Sequence, residues 1–461
     1  MEEVFEFAKQ MQAAGNFTDA ETCYRRYLED NENSFKALNN LGVVLECQDK
    51  LVDAVECFRK AAELVPEDPI PRYNLGHAYF RQERLDSAAD LFEALLEENP
   101  DHGPACLNLG VIYWRQDRLI EAEKLLRRAT HYSEVAANAN SKLGLFLFDC
   151  ERFVEARSCH LAAAAIEESP HHYFQAALCD RTLGLHDEAA DKLATAQKLD
   201  PESRTLFEHR TRALLAAGDT AAVEATFREW ESTLPNDPIC AHMLAAFRGD
   251  NSVARCSTDY VRETFSGFAG DFNETLERLE YGAPQAIADA FQTLQTGQSQ
   301  FTCILDAGCG TGLCGPLVRA GTQNLVGVDL AQPMLDKAQL LGAYDELIEA
   351  DLVDYMATQN QKFDAILAAD TYNYFGELQT VFAAAANALT PGGHMIFTLE
   401  QCSDDTSGFR LMPHGRFEHE MSYVETVLTD NGFAMASVDA LVLRKEGGED
   451  VNGWLIMARG N

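Results

Sequence analysis

Hydrophobic positions in the first half of the chain recur every 34 residues. Four leucine–glycine pairs keep this spacing and are followed, twelve positions after each glycine, by alanine: Leu41-Gly42, Leu75-Gly76, Leu109-Gly110, Leu143-Gly144, then Ala54, Ala88, Ala122 and Ala156. Small residues at both points let two antiparallel helices approach closely, and Pro66 and Pro100 end the second helix of two units. The pattern predicts helix–turn–helix repeats with turns at residues 48–50, 82–84, 116–118 and 150–152.

The repeat continues on both sides of these four units. It reaches back to Ala8 and Ala20, extends forward to Leu178 and Ala190, and fades in a last unit over residues 204–235. The period resembles that of the tetratricopeptide (TPR) family over residues 1–240, although the leading tryptophan of that family is missing. Fading at the end of an array is expected, because terminal repeats cap the stack.

The TPR resemblance implies an α-solenoid whose extended groove holds a peptide or a partner protein. We therefore expect the array to dock a partner or a substrate, with a rigid spacer or a dimerisation element as the alternative. The candidate groove residues lie just before the repeated glycines and are Asn39, Asn40, Asn74, Asn108 and Asn140. Their amides suit hydrogen bonding to a peptide backbone, but asparagine also serves structural positions in helices.

A different pattern follows the polar stretch 247–252, which suits a linker. Short apolar runs at 301–307, 324–329, 346–351, 363–370 and 393–400 alternate with amphipathic segments such as 315–320, 333–342 and 376–389. This alternation favours a doubly wound sheet of parallel strands. Residues 434–445 and 451–459 predict an antiparallel hairpin around the turn 446–449. The predicted domains are a repeat array at 1–240, a linker at 241–258 and an α/β domain at 259–461.

Charge and composition narrow the classes of partner. The net charge is −36, and from Asn251 onward there are 11 Lys and Arg against 29 Asp and Glu, so each half carries −18. This acidity disfavours nucleic acid and would attract a cationic peptide or small molecule, although solubility alone also accounts for it. No apolar run approaches the roughly 18 residues of a membrane span, and the acidic N-terminus differs from a secretory signal. We expect a cytoplasmic protein without a membrane partner.

The thirteen cysteines include no C-x-x-C pair. Several of them, such as Cys47, Cys106 and Cys150, lie at apolar helical positions, where a thiol behaves as a small hydrophobic group. We expect reduced, structural thiols and no metal site.

The strongest chemical signal is the turn after the first predicted strand. Asp306 opens a D-x-G-x-G-x-G motif with Gly308, Gly310 and Gly312. Glycines let the backbone turn sharply and approach a ligand without a Cβ in the way. The dinucleotide form G-x-G-x-x-G fails at Leu313, whereas the observed spacing is that of the S-adenosylmethionine (SAM) motif. An acid at Asp306 also suits the cationic sulfonium and ammonium groups of SAM.

Two segments before the first strand carry a further resemblance. Residues 265–272 and 276–284 look like the lead-in segment of TPR-containing methyltransferases, whose catalytic half is similar to the methyltransferase-like protein of the Williams–Beuren region. The likeness continues through 368–378 and 416–424. It implies a Rossmann-like class I methyltransferase fold, a parallel sheet with a C-terminal antiparallel hairpin, and SAM as the cofactor. It also implies a helical lid in which Phe272 or Tyr281 touches the cofactor, with aromatic packing on the sheet edge as the alternative.

Further cofactor-binding residues are expected at the ends of the next two strands, where parallel sheets bind ligands. Asp329 suits both ribose hydroxyls and Leu330 the adenine, although such an acid also occurs in NAD-binding folds. Met334 either lines the adenine slot or packs in the core. The resemblance implies that Asp351 accepts from the adenine amino group and that the amide of Leu352 meets the ring. The competing interpretation of Asp351 is a helix N-cap.

Candidates for catalysis lie at the substrate side of the same edge. Asp370 closes the fourth strand beside the position of the transferred methyl group, and Tyr372 and Tyr374 would face the substrate or pack. His419 is the general-base candidate and Glu400 a second one, with a helix-capping histidine as the alternative for His419. Many methyl transfers need no base, since alignment of nucleophile, methyl and sulfur supplies most of the catalysis. The two prolines typical of DNA and protein-glutamine methyltransferases are absent, which argues against those substrates.

The predicted function is therefore methyl transfer from SAM to a small-molecule or peptide acceptor, with the TPR array docking a partner or substrate. The alternative is an interaction scaffold whose methyltransferase fold binds SAM without catalysis, or not at all. The intact turn 306–312 and Asp329 argue against lost cofactor binding. Leu313 disfavours an NAD-dependent oxidoreductase.

Overall fold

The structure of the chain is a computed structural model that describes residues 2–250, 252–270, 272–295, 300–402, 408–446 and 449–461. The chain divides into unit 1, Met1–Glu229, and unit 2, Trp230–Asn461. Within the described ranges, no helix is long and apolar enough to cross a membrane. All thirteen cysteines are free thiols.

Unit 1 consists of paired helices, as the 34-residue period predicts. Its helices are α1 (Glu2–Ala13), α2 (Phe17–Asp30), α3 (Phe35–Cys47), α4 (Leu51–Leu64), α5 (Pro69–Arg81), α6 (Leu85–Glu98), α7 (Gly103–Arg115), α8 (Leu119–Ala129), α9 (Ala136–Asp149), α10 (Phe153–Ile166), α11 (Pro170–Thr182), α12 (His186–Leu199), α13 (Arg204–Ala217) and α14 (Thr220–Thr233). Odd-numbered helices are the first of each repeat. The boundary between the units falls inside α14.

The repeated glycines mark the points where the two helices of a repeat touch. A Cβ added to Gly42 would meet the Phe58 ring at 2.5 Å, and one added to Gly144 would meet His160 Nε2 at 2.6 Å. Gly76 faces Phe92 and Gly110 faces Leu126 in the same way. The facing side chain on the second helix occupies the space that a Cβ of the glycine would need. Only glycine therefore allows the two helices to approach this closely.

The predicted turns adopt a left-handed backbone at the same point of each repeat. The φ angle is 59° at Asp49, 60° at Glu83, 59° at Asp117 and 60° at Glu151. The remaining repeats place Gly15, Gly184 and Gly218 in the same region, with φ of 76°, 74° and 78°. Positions in different repeats can therefore be matched by counting back from this residue.

The asparagines predicted to line the groove make hydrogen bonds within unit 1. Asn74 donates to Asn39 at 2.8 Å, and Asn108 donates to the Tyr73 hydroxyl at 3.0 Å, so both join neighbouring repeats. Asn40 donates to the Tyr24 hydroxyl, and Asn140 to the carbonyl of Ala136. These contacts support the structural interpretation, and their role in docking stays a prediction.

His160 is an exception among the large residues at the helix contacts. It takes the place of Phe58, Phe92 and Leu126, it is fully buried, and neither ring nitrogen has a hydrogen-bond partner among the described residues. Burial lowers the pKa of His160 to about 4, against 6.5 for an ordinary histidine. Because the unfolded chain gains the proton first, this site costs stability as the pH falls from 6.5 towards 4, by up to about 3 kcal/mol.

Replacing His160 by phenylalanine should raise the free energy of unfolding by about 1–2 kcal/mol at pH 7, because two buried polar atoms without partners disappear. The gain should be larger at pH 5, where the unfolded wild-type chain is protonated. Urea titrations at both pH values measure it. Phe92→His is the matched control, since it imposes the same defect on another repeat and should destabilise. Equal stability of wild type and His160→Phe at pH 5 would contradict the prediction.

Unit 2 begins with helices and continues as an α/β sheet. The first helices are α15 (Pro238–Arg248), α16 (Thr258–Phe268), α17 (Phe272–Arg278) and α18 (Ala283–Gln295). Next come β1 (Phe301–Ala307), α19 (Gly315–Val318), β2 (Thr322–Asp329), α20 (Gln332–Leu340), β3 (Glu346–Glu349), α21 (Leu352–Thr358), β4 (Phe363–Ala368), α22 (Gln379–Ala388), β5 (Leu389–Gln401), β6 (Phe409–Leu411), β7 (Phe417–His419), α23 (Met421–Asp430), β8 (Phe433–Glu446) and β9 (Glu449–Gly460). Short 3-10 turns span Arg319–Gly321 and Tyr372–Tyr374.

The sheet has the predicted parallel strands followed by a C-terminal antiparallel hairpin. Strands β3-β2-β1-β4-β5 are parallel, β9 is antiparallel to β5, and β8 is antiparallel to β9. The predicted hairpin is therefore confirmed, although residues 447–448 of its turn lie outside the described residues. The short strands β6 and β7, which extend the end of β5, were not predicted. Each of these strands has three residues, which are too few to show the alternation of apolar and polar positions that predicts a strand.

Apolar residues cover both faces of the sheet. Leu305 and Ile366 point to one face with α21, α22 and α23, while their neighbours Ile304 and Leu367 point to the other with α18. This alternation buries the strands on both sides. The carboxyl edge of the parallel strands is left for binding.

The segment predicted as a linker, 241–258, is partly helical. The carboxylate of Asp237 caps α15 at the amides of the second and third residues that follow it. His242 on this helix is buried, with its ring centroid 4.0 Å from that of Tyr260. The Asp-Pro start signal before α15 explains why helix continues where the polar composition had suggested a linker.

Candidate functional site

The turn after β1 has the left-handed backbone that its glycines permit. The φ angle is 73° at Gly308, 54° at Gly310 and 86° at Gly312. A Cβ on Gly308 would collide with Thr371, and one on Gly312 would meet Tyr344 at 3.0 Å. The space beside Gly310 is open, with no described atom within 4 Å of its Cβ position. Two of the glycines therefore permit close packing, and the third leaves a cradle.

Asp329, the last residue of β2, lies next to this cradle. Its Oδ2 accepts from the Gly310 amide and its Oδ1 from the Ala331 amide, both at 2.9 Å. Burial raises the pKa of Asp329, while these backbone donors act in the opposite direction. The two amides fix the orientation of the carboxylate and leave lone pairs for further donors. The open cradle and the fixed acid fit the ribose of a nucleoside cofactor such as SAM.

Asp306 faces the interior of unit 2. It is 1% exposed, and its Oδ2 accepts from the Tyr344 hydroxyl at 2.6 Å. Burial raises the pKa of Asp306 to about 7. The Tyr344 ring fills the space against Gly312 and Gly315. This hydrogen bond joins Asp306 to the ring that packs against the turn, and direct contact of Asp306 with the cationic groups of SAM stays a prediction.

The helical lid consists of α16 and α17 and covers Met334. Met334 is fully buried in a cluster with Phe265 and Phe272. The packing alternative is thus correct for Met334. Phe272 on α17 contacts Phe265 and Phe268 on α16 and packs against this cluster. Leu330 is half-buried and stays a predicted adenine contact.

Two hydrogen bonds that the sequence did not reveal fasten the lid. The Thr311 hydroxyl in the glycine turn donates to Asn273 Oδ1 at 2.7 Å, and Lys337 Nζ donates to the Gly270 carbonyl at 2.6 Å. These pairs are separated by 38 and 67 residues. No local spacing could have indicated them.

Tyr281 lies where the lid meets the edge strand β8. Backbone hydrogen bonds of 2.7 and 3.0 Å join residues 279 and 282 to residues 445 and 443 of that strand. Burial raises the pKa of Tyr281 well above 10, and the charge of Asp370 raises it further. Tyr281 is therefore within the electrostatic influence of the acid at the end of β4, and its contact with the cofactor stays a prediction.

Asp351 caps a helix and forms an ion pair. Its Oδ1 accepts from the amides of Val353 and Asp354, and its Oδ2 accepts from Arg255 Nη2 at 2.5 Å. The N-cap interpretation is therefore correct. The side chain of Leu352 is buried in the core. Adenine recognition by Asp351 and by the Leu352 amide stays a prediction.

Asp370 follows β4 in a conformation that is uncommon for residues other than glycine, with φ of 54°. Its amide donates to the Thr398 hydroxyl at 2.8 Å, and that hydroxyl donates to Oδ1 at 2.9 Å. Arg444 Nη1 donates to Oδ2 at 2.8 Å. Burial raises the pKa of Asp370, and the charge of Arg444 opposes that rise. These contacts hold Asp370 at the edge where the sequence predicted chemistry.

Asp370 belongs to a set of charges that we call the arginine–carboxylate cluster: Asp370, Glu400, Arg416, Arg444 and Glu446. Arg444 on β8 is 3% exposed and donates to all three acids, with Nε 2.7 Å from Glu446. Arg416 Nε donates to Glu400 at 2.7 Å and its Nη2 contacts Glu446. Although burial opposes it, the two arginines lower the pKa of Glu446 to about 2. With every member ionised, the cluster carries one net negative charge.

Glu400 and His419, the other general-base candidates, are engaged elsewhere. Glu400 is 2% exposed, and despite burial its two arginine partners lower its pKa. His419 is fully buried on β7, its Nε2 donates to the Phe375 carbonyl at 2.8 Å, and burial lowers its pKa to about 4. The cap of α23 is Glu420. Both interpretations of His419 are therefore wrong, because the unpredicted strand β7 turns this side chain inward.

Tyr372 packs in the core of unit 2. Its ring is fully buried against Phe382 and Phe397, and its hydroxyl contacts only Met395 Sδ, at 3.8 Å, among the described residues. The predicted catalytic role of Tyr372 is wrong and the packing alternative is correct. Tyr374, in contrast, is half-buried, and burial raises its pKa to about 12.

Comparison with known proteins gives the same division. Residues 304–393 match the methyltransferase-domain family, and residues 48–83 and 73–131 match tetratricopeptide-repeat families. The ubiquinone biosynthesis O-methyltransferase of Bartonella tribocorum is 35% identical over 20% of this chain and 38% of its own length. The malonyl-[acyl-carrier protein] O-methyltransferase of Salmonella typhimurium is 32% identical over 25% of this chain and 45% of its own length. Human methyltransferase-like protein 27 is 29% identical over 29% of this chain and 55% of its own length.

The chain spans between 38% and 55% of the length of these curated relatives. The family assignments nevertheless agree with the helical repeats of unit 1 and with the strand order of unit 2. The chain therefore contains a region similar to tetratricopeptide repeats, followed by a region similar to the methyltransferase-domain family.

Proposed function

We propose that this chain transfers the methyl group of SAM to a small-molecule or peptide acceptor, and that unit 1 docks a partner or substrate. The observation that carries the proposal is the open cradle at Gly310 with Asp329 fixed beside it. SAM supplies an electrophilic methyl group when it is bound. Asp329 would hold the ribose hydroxyls, and α16 and α17 would exclude water from the cofactor.

Asp370 is the residue best suited to receive a proton from the acceptor. It lies at the end of β4, and Arg444 favours its ionised form against burial. The charge of Asp370 raises the pKa of Tyr281 and of Tyr374, and these two tyrosines would orient the acceptor. Glu400 and His419 are not available for this task, because both are buried, Glu400 is paired with two arginines, and His419 Nε2 donates to a carbonyl.

The charges of the site favour a neutral or cationic acceptor. Both arginines of the cluster are already paired with carboxylates, and the cluster keeps one net negative charge. A carboxylate acceptor would therefore meet repulsion without a free arginine. Two of the relatives are named O-methyltransferases, which favours oxygen as the acceptor atom.

Tyr281→Phe should lower the rate of methyl transfer by about tenfold, since the hydroxyl that would orient the acceptor beside Asp370 is lost. Tyr372→Phe is the matched control and should leave the rate unchanged, because its hydroxyl lies in the core. Initial rates at saturating SAM measure both. Equal rates for the two variants would contradict the assignment of Tyr281.

The alternative function is an interaction scaffold that binds SAM without transferring its methyl group. Calorimetry with SAM, S-adenosylhomocysteine and NAD, followed by transfer of labelled methyl from SAM into a cell lysate, tests both. We expect binding of the first two ligands, no binding of NAD, and label in an acceptor fraction. Absence of SAM and S-adenosylhomocysteine binding would refute the proposal, and binding without any transfer would favour the scaffold. Label only in small molecules would remove the substrate-docking role of unit 1.

A further inference from the structure

The last two repeats of unit 1 carry a cationic cluster formed by Arg181, His209 and Arg212. Arg181 Nη1 on α11 lies 2.7 Å from His209 Nδ1 on α13. Because a guanidinium only donates, Nδ1 is the acceptor and this nitrogen carries no proton. Arg212 lies one helical turn after His209. Neither arginine has a carboxylate partner among the residues that the structure describes.

The missing partner sets this cluster apart within an acidic protein. Most arginines of unit 1 pair with a carboxylate, as Arg210 on the same helix pairs with Glu229 at 2.8 Å. Arg181 is half-buried, and burial together with the charge of Arg212 lowers its pKa. Burial, with the two arginines adding to it, lowers the pKa of His209 to about 3, so the ring is neutral. Two guanidinium groups thus repel each other across a neutral ring, and an anion between them would relieve the repulsion.

The three side chains occupy one face of the first helices. His209 stands nine positions before the left-handed turn residue, which is the place of Asn40, Asn74 and Asn108 in earlier repeats. Arg181 stands three positions before it, the place of Phe80, Trp114 and Phe148. Arg212 stands six positions before it, the place of His77. We call the surface formed by these positions the first-helix face.

The first-helix face changes character along the array. Trp114 and Phe148, on α7 and α9, are half-buried and present aromatic surface. Lys142 on α9 is half-buried at the position of His209, and no carboxylate pairs with it in the described part of unit 1. The aromatic positions of the middle repeats are therefore followed by cations in the last ones.

We propose that this face binds a peptide segment whose carboxylate lies between Arg181 and Arg212 and whose apolar side chains contact Trp114 and Phe148. The inference rests on the proposed docking role of unit 1 and names the chemistry of the partner. Arginine pairs favourably with carboxylates in a planar, two-pronged geometry, and aromatic side chains give large contact area at low entropic cost.

An acidic peptide fits this surface better than a nucleic acid does. Residues 1–250 contain 26 Lys and Arg against 44 Asp and Glu, so phosphates beyond the first would meet acidic surface. Nucleic-acid binding relies on the neutralisation of many phosphates by Lys and Arg. Three unpaired cations on one face suffice for one or two carboxylates.

The test uses the full chain and a fluorescein-labelled pool of random peptides made of Glu, Leu, Tyr and Gly, with a second pool in which Gln replaces Glu. Fluorescence polarisation should show that the Glu pool binds at least about tenfold more tightly, as expected for a charge-assisted hydrogen bond. The double variant Arg181→Gln, Arg212→Gln should lose this preference. Arg210→Gln on the same helix is the matched control and should keep it, since Arg210 already has its acid.

Equal binding of the two pools, or a double variant that binds the Glu pool like the wild type, would overturn the proposal. So would tighter binding of a labelled single-stranded oligonucleotide. Thermal unfolding separates loss of fold from loss of binding, because removing a half-buried unpaired charge at Arg181 should not lower the melting temperature. Calorimetry with SAM on the same samples reports the methyltransferase function separately. Failure of both peptide pools with intact SAM binding would refute the docking role alone.

Discussion

Asp329→Ala should lower the affinity for SAM by about 100-fold. The substitution removes the carboxylate, so the ribose hydroxyls of SAM would lose two hydrogen bonds, each worth about 1.5 kcal/mol when the acceptor is charged. The substitution would also remove the hydrogen bond of 2.9 Å from the Gly310 amide to Asp329, in the open part of the glycine turn. Calorimetric titration with SAM measures the change.

Asp336→Ala is the matched control for this loss. Asp336 is exposed on α20 and accepts only from Gln332 among the described residues. Its removal changes the net charge of unit 2 by the same amount without touching the cradle. An unchanged affinity of Asp329→Ala, or an equal loss in both variants, would refute the ribose assignment.

Arg444→Met should lower the free energy of unfolding by about 3–5 kcal/mol at pH 8, because it leaves buried carboxylates without their shared partner. Arg444 donates to Asp370, Glu400 and Glu446, and only the last two keep a second arginine. The same variant should abolish methyl transfer, since Asp370 would lose its orientation. Urea titration and initial rates measure the two effects.

The pH dependence of this loss has a defined sign. In the wild type, the arginines lower the pKa of Glu446 to about 2, so the contribution of that pair is complete above 4.5 and is lost only as the pH falls towards 2. In Arg444→Met the unpaired carboxylates favour the protonated form, so the destabilisation should shrink as the pH falls from 8 to 5.

Lys445→Met, the neighbouring substitution on β8, is the control, since its ion pair with Glu280 is exposed and its loss should change stability little. A second variant, Arg444→Met with Glu400→Gln, should regain part of the lost stability. A pH-independent loss in Arg444→Met would contradict the role of the cluster.

The parts of the fold that the sequence predicted are those with a period or a local motif. The 34-residue spacing fixed the helix pairs, and the glycine contacts at Gly42 and Gly144 are its physical origin. The buried strands stood out as apolar runs between turns. The motif from Asp306 to Gly312 located the cradle, because its glycines adopt conformations that side chains disfavour.

The arginine–carboxylate cluster could not be predicted in this way. Arg444 lies 74 residues from Asp370 and 44 from Glu400 in the chain, and only the strand order β4-β5-β9-β8 brings them together. The same reason explains the errors at His419 and Tyr372. Whether such a residue faces the site or the core depends on short elements that carry no period.

The place of Arg444 on β8 also orders events during synthesis of the chain. β4 and β5, with Asp370 and Glu400, leave the ribosome before β8 does. Until β8 joins the sheet through β9, the two acids at the edge share no guanidinium, and the fastening of residues 279–282 to β8 is absent. A nascent chain can therefore complete its repeats and its cofactor turn while the acceptor side is still unassembled. Pairing of β8 with β9 is the step that completes the arginine–carboxylate cluster.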